Sequence, residues 1–159
     1  MKINLLVIGK IKDLYLKQGI EEYLKRLSNY CEVLVKEFDD ESIVDKPSKK
    51  EIEIATDKEC ERVLKTIKNT DYVITLDLGK KQLDSKGFAE FLSQKFNTYG
   101  SHLTFVIGGS YGLSNNLKKR ANDSISLSAM TFTHQMTRLI FLEQVYRAFK
   151  ILNNEVYHK

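Results

Sequence analysis

Apolar residues gather in five short runs along this chain, separated by stretches with three- and four-residue spacing. Residues 2–8 (KINLLVI) form a compact run that stops at Gly9, the pattern of a buried strand. Residues 14–29 place Leu16, Ile20, Tyr23, Leu24 and Leu27 on one helical face. A second strand is predicted over Cys31–Phe38, followed by a polar loop over Asp39–Pro47. Ser48, with Glu51 three residues on, has the spacing of a capping box. The helix it starts is expected to run to about Lys68.

The alternation continues. Tyr72–Leu76 reads as a third strand, closing at Asp77-Leu78-Gly79. A helix over Ser85–Phe96 turns Phe88, Phe91 and Leu92 inward. Leu103–Ile107 is a fourth strand running into Gly108-Gly109. A short basic helix over Asn115–Arg120 and a fifth strand over Ser124–Met130 follow. The last helix spans His134 to about Asn153 and carries two apolar stripes. One is Leu139, Leu142, Tyr146 and Phe149; the other is Phe141, Val145, Ala148 and Leu152. Two stripes require two packing partners: the sheet, and either a helix of the same chain or a helix of a second copy.

Strands alternating with helices predict the α/β class, with a mostly parallel sheet flanked by helices. The near-continuous apolar strands fit a sheet covered on both faces. A length of 159 residues fits a single domain over 1–159. With 42% hydrophobic and 29% charged residues, the composition excludes a disordered or fibrous chain. The net charge of +4 excludes a polybasic protein but permits a local anion site. It is uneven: −5 over residues 32–62 and +4 over 118–159, so contact with nucleic acid is expected at the basic end. Cys31 and Cys60 stand far apart and read as reduced, buried thiols of a cytoplasmic protein. No apolar stretch is long enough to cross a membrane.

In open α/β sheets, ligands bind beyond the carboxyl ends of the strands. Three such ends carry unusual residues here: Thr75-Leu76-Asp77, Gly108-Gly109-Ser110-Tyr111-Gly112, and Leu127-Ser128-Ala129-Met130-Thr131-Phe132. Small residues mixed with Met130 and Phe132 suit an adenine-sized apolar slot with backbone hydrogen bonds. GGSYG is not the GxGxxG dinucleotide fingerprint, and no GxxxxGK[ST] loop or GxSxG elbow exists. His102, His134 and His158 are too widely spaced for a metal site. Glu143 and Arg147 stand four residues apart in the favourable order for a helix ion pair.

Together, KINLLVIGK, VITLD, VIGGSYGLS, SLSAMTFTHQMTRLIFLEQVYRAFKI and the final VYHK resemble the ribosomal RNA large-subunit methyltransferase H family. These are knotted methyltransferases of the SPOUT superfamily, and the resemblance spans nearly the whole chain. It departs at Thr133, where the family usually has proline, at Tyr111, and at Lys159, where many members have arginine.

The resemblance implies an α/β-knot fold with a trefoil knot in the C-terminal half. It implies S-adenosylmethionine as methyl donor, and no metal. The acceptor it implies is N3 of a pseudouridine in 23S (large-subunit) rRNA, met on the assembled 70S ribosome by a homodimer. Carried over, the donor site falls on Leu76, Gly108, Leu127, Ser128, Ala129, Met130, Thr131 and Phe132. The second stripe of the last helix then fits a dimer interface. Tyr157 and His158 match a C-terminal Tyr-His near the acceptor, with His158 as base or orienter. Arg147, Arg138 and Lys159 are candidates for phosphate or developing-anion contacts, with Glu143 orienting Arg147. Two rivals stand beside this: a non-catalytic ribosome- or RNA-binding protein that keeps the fold, and, more distantly, an oxidoreductase.

Overall fold

The computed structural model describes residues 1–157. In chain order the elements are β1 (Lys2–Ile8), α1 (Leu14–Leu27), β2 (Glu32–Phe38), α2 (Lys49–Leu64) and β3 (Val73–Gln82). Then come α3 (Ser85–Tyr99), β4 (His102–Ile107), α4 (Asn115–Arg120), β5 (Asp123–Ser126) and α5 (His134–Leu152). The strands form one sheet of order β2-β1-β4-β3-β5, parallel throughout.

Alternation along the strands decides which layer each side chain joins. Ile3, Leu5 and Val7 of β1, with Leu103, Phe105 and Ile107 of β4, face α1, α3 and α5. Leu6, Ile8 and Val106 point the other way, onto Cys60 and Val63 of α2 and Leu117 of α4. The capping box at Ser48 is present in full: its hydroxyl takes the Glu51 N–H, and Glu51 takes the Ser48 N–H at 2.7 Å.

Both stripes of α5 are used inside the chain. Leu139 packs on Gly19, Tyr146 meets Tyr23 edge-on with centroids 6.0 Å apart, and Phe149 stacks on Tyr30. Phe141, Val145 and Ala148 are fully buried, Phe141 against Phe105 and Phe88. The resemblance led the second stripe to be expected at a dimer interface; its burial inside the chain overturns that, and only its last residue, Leu152, is open, at 39% exposure. The part-exposed face is instead Thr137, Ile140, Gln144 and Arg147.

Several boundaries differ from the sequence pattern. α2 ends at Leu64, short of Lys68. β5 stops at Ser126 rather than Met130. There the Ser126 hydroxyl donates to the Ser128 carbonyl and the Met130 N–H donates to the Ser128 hydroxyl, so side chains replace the ladder. β3 does not close at Asp77–Gly79. It pairs with β5 through Leu76, leaves it, and pairs again at Lys81.

Candidate active site

Because the sheet is parallel, β4, β5 and the first run of β3, which leaves the sheet after Leu76, finish at one end of the sheet. A cavity of about 600 Å³ opens there. Its wall takes Leu76, Asp77 and Leu78 from β3, and Gly108, Gly109, Ser110 and Gly112 from the loop after β4. Leu127, Ser128, Met130, Thr131 and Phe132 come from the loop after β5. Seven of the eight expected donor-site residues thus share one wall; Ala129 is not on it.

The glycines shape this wall by closing the loop on itself. A Cβ on Gly108 would lie 2.4 Å from the Gly112 carbonyl oxygen. Gly112 has φ +83° and donates its N–H to Gly109 O at 3.1 Å. The missing Cβ at Gly108 therefore lets the loop fold back on itself. Behind the loop lies Glu59 of α2, 5% exposed, with one oxygen accepting the Glu41 N–H at 2.8 Å. Burial pushes its carboxyl above the usual range. Next to it, Cys60 Sγ accepts the Ser114 N–H at 3.2 Å and anchors the far end of the loop.

The first turn of α5 completes the cavity through Thr133, His134, Gln135 and Thr137. Sequence reasoning missed these four as a group. The signal was available, since a helix starting directly after a wall-forming loop must bring its first turn to the same wall. Thr133 caps the helix by accepting the Met136 N–H. His134 is half-buried; burial and the Arg138 charge lower its pKa. The lip is apolar and open: Met130 is 72% exposed, with Leu78 and Phe132 also exposed.

The cationic candidates separate. Arg138 is 1% exposed and donates to Glu37 Oε1 at 2.8 Å and to the carbonyls of Ile8 and Gly9. It ties β1, β2 and α5 together, with its guanidinium turned inward onto these partners. Arg147 belongs to a second cluster. Its Nε donates to Glu143 Oε1 at 3.0 Å, and its guanidinium lies 4.7 Å from the centroid of the Tyr157 ring. The Tyr157 hydroxyl donates to Glu143 Oε1 at 3.2 Å and lies 3.4 Å from that of Tyr23. Burial, the Tyr23 hydroxyl and the Glu143 charge hold the Tyr157 phenol well above its ordinary pKa. His158 and Lys159 lie outside the described residues.

The structure thus brings Tyr157 and Arg147 together, but not onto the cavity wall. From Thr137 to Arg147, ten residues of helix rise about 15 Å. Among the described residues, no group of three or more His, Cys, Asp or Glu is placed to hold a metal ion. Nor is any described helix long and apolar enough to cross a membrane.

Residues 1–158 match the family model described as "Predicted SPOUT methyltransferase". The chain is 52% identical to the ribosomal RNA large subunit methyltransferase H of Carboxydothermus hydrogenoformans, over 100% of both chains. It is 49% identical to that of Clostridioides difficile, again over 100% of both. Among solved structures it is similar to the tRNA (m1G37) methyltransferase of Aquifex aeolicus. The TM-score is 0.51 at 17% identity, over 92% of this chain and 70% of that one. A Legionella pneumophila protein assigned as a methyltransferase and solved with SAM bound gives a TM-score of 0.51 at 10% identity. That match covers 94% of this chain and 66% of the other. At such identities the two structures establish the fold, while the full-length relatives establish the family. The chain belongs to the SPOUT methyltransferases and, within them, to the ribosomal RNA large subunit methyltransferase H family.

Proposed function

We propose that this chain methylates N3 of a pseudouridine in large-subunit rRNA, working as a cytoplasmic homodimer on the assembled ribosome. The observation that carries this reading is the single cavity built from the ends of β3, β4 and β5. Its apolar wall, lined with serine and threonine hydroxyls, fits a nucleoside-sized donor. Leu76, Leu127, Met130 and Phe132 would hold the flat ring, and Ser128, Thr131 and the backbone of Gly108 its polar edges. Ala129, off the wall, would act through the turn around it. S-adenosylmethionine, when bound, supplies an electrophilic methyl on a sulfonium sulfur. The trefoil knot is part of the same reading.

Transfer forms an N–C bond as the C–S bond breaks, and the N3 proton must leave. Positive charge beside the acceptor's oxygens stabilises the anion that develops there. Arg147 supplies that charge, and Glu143 fixes its direction. Tyr157, held protonated, donates to Glu143 and so helps position the Glu143–Arg147 pair, rather than acting as the base. His158 is the proposed base. Arg147 stands about 15 Å of helix rise beyond Thr137, the last α5 residue on the cavity wall, which supports a second copy that brings its own tail to the site. The part-exposed face of α5 would be the surface on which the copies meet.

The deciding experiment maps methyl groups on 23S rRNA by mass spectrometry, with and without the gene. Loss of one methyl from one pseudouridine is the expected result; an unchanged map overturns the reading. With purified ribosomes, Tyr157→Phe and His158→Ala are expected to slow turnover, and unchanged rates in both would remove the tail from the mechanism.

A further inference from the structure

The excursion of β3 builds a basic strap between two cavities. Leu76 and Lys81 pair with the same residue of β5, Ile125. The residues between them, Asp77–Lys80, loop out and turn at Gly79, whose φ is +72°. Asp77 and Leu78 belong to the wall of the first cavity. Residues 83–86 belong to the wall of a second, of about 680 Å³, which shares Ser126, Leu127, Ser128 and Phe132 with the first. Lys80 and Lys81 ride exposed on the segment joining the two, and Lys86 follows at the start of α3. A strand that simply ended at Leu76 would display neither Lys80 nor Lys81 here.

The charges on this strap are uncommitted. Nearby cations are already engaged: Lys118 pairs with Asp77, Lys95 with Asp123, and Arg120 donates to the carbonyls of Lys68 and Asp71. Among the described residues, Lys80, Lys81 and Lys86 have no carboxylate partner. The one acid within the strap's second half, Asp84, is occupied by the Gly87 N–H at 2.7 Å. Three ammonium groups with open donors thus line the approach to the cavity where an anionic polymer must present one base.

We propose that Lys80, Lys81 and Lys86 grip phosphates of the rRNA strand on either side of the nucleotide offered to the first cavity. The proposal rests on the rRNA reading above and places the RNA backbone on a defined part of the surface. Phosphate contacts fix register without reading bases, and they make binding salt-dependent.

The test compares Lys80→Glu/Lys81→Glu and Lys86→Glu with Lys49→Glu/Lys50→Glu, an exposed pair at the start of α2. Ribosomes lacking the methyl serve as substrate, and kcat/KM is followed from about 50 to about 200 mM salt. The strap pair is expected to lose about tenfold or more at low salt, and its log–log salt slope to flatten by about 1 to 2. Lys80→Arg/Lys81→Arg restores both, the remote pair changes neither, and calorimetric affinity for S-adenosylmethionine stays at the wild-type value. Equal behaviour of the two Glu pairs overturns the proposal. So does loss of donor affinity in the strap variants, which would assign the strap to the donor site instead. A wild-type protein that methylates no rRNA overturns the parent function and this proposal with it, a failure distinct from either.

Discussion

Tyr157 and Arg147 converge on one oxygen of Glu143, the phenol donating across 3.2 Å and the guanidinium Nε across 3.0 Å. Glu143→Gln keeps the shape and removes the charge that holds both. Turnover on ribosomes is expected to fall about tenfold or more, with donor affinity unchanged. Single-turnover methylation and calorimetry separate the two effects. A weaker donor affinity at unchanged turnover would contradict the assignment.

Gly108 and Gly79 make a contrasting pair. At Gly108 a methyl group would collide with the Gly112 carbonyl. Gly108→Ala is expected to open the loop, abolish donor binding and cost about 2 kcal/mol of stability or more. At Gly79 there is open space but φ is +72°. Gly79→Ala should cost only about 1 kcal/mol, from the left-handed backbone, and leave donor binding intact. Urea unfolding and calorimetry on both variants check this.

Acid sensitivity should trace to His134. Burial and Arg138 lower its folded-state pKa below the ordinary 6.5, so the folded protein binds fewer protons than the unfolded chain. Its contribution to stability is therefore full above pH 6.5 and is lost as pH falls through the window below that value. His134→Asn should show a shallower decline in Tm between about pH 7 and pH 5 than the wild type. Parallel curves would refute the assignment.

The thiols should be silent in the native protein. Burial pushes Cys31 up to about 11 and raises Cys60 as well, so neither offers a thiolate near neutral pH. Iodoacetamide at pH about 8 is expected to add no mass until denaturant is present. Rapid native alkylation would show that one of the two sites opens.

Arg138 and Glu37 join elements 101 positions apart in sequence. Glu37→Ala leaves the buried guanidinium with only its two carbonyl partners and should cost about 3 kcal/mol. Donor affinity should weaken little, because neither residue lines the cavity. Denaturant titration of the variant gives the number.

Legibility in the sequence followed burial. β1 and β4 are largely apolar runs and β2 an alternating one, and the boundaries of all three are readable in the sequence almost to the residue. The second half of β3 is not, because Gly79-Lys80-Lys81 looks like a turn until its pairing with Ile125 is known. β5 was over-extended because hydrophobicity cannot register the bonds that Ser126 and Ser128 make with the backbone. Of the eight residues that the strand-end rule and the resemblance point to, seven lie on the cavity wall. Arg138 was misread because a charged residue inside a helix looks solvent-facing until carbonyl partners distant in sequence are seen.

The order in which the chain emerges during synthesis adds a constraint. α1 is made early, yet its apolar side around Gly19 and Tyr23 is completed by Leu139 and Tyr146 of α5. β1 also waits for β4, its neighbour on the side away from β2. The core therefore cannot close until nearly the whole chain has been translated. A nascent chain stalled before residue 139 holds an unfinished hydrophobic surface. That makes late truncations prone to aggregation and folding slow for a chain of this length.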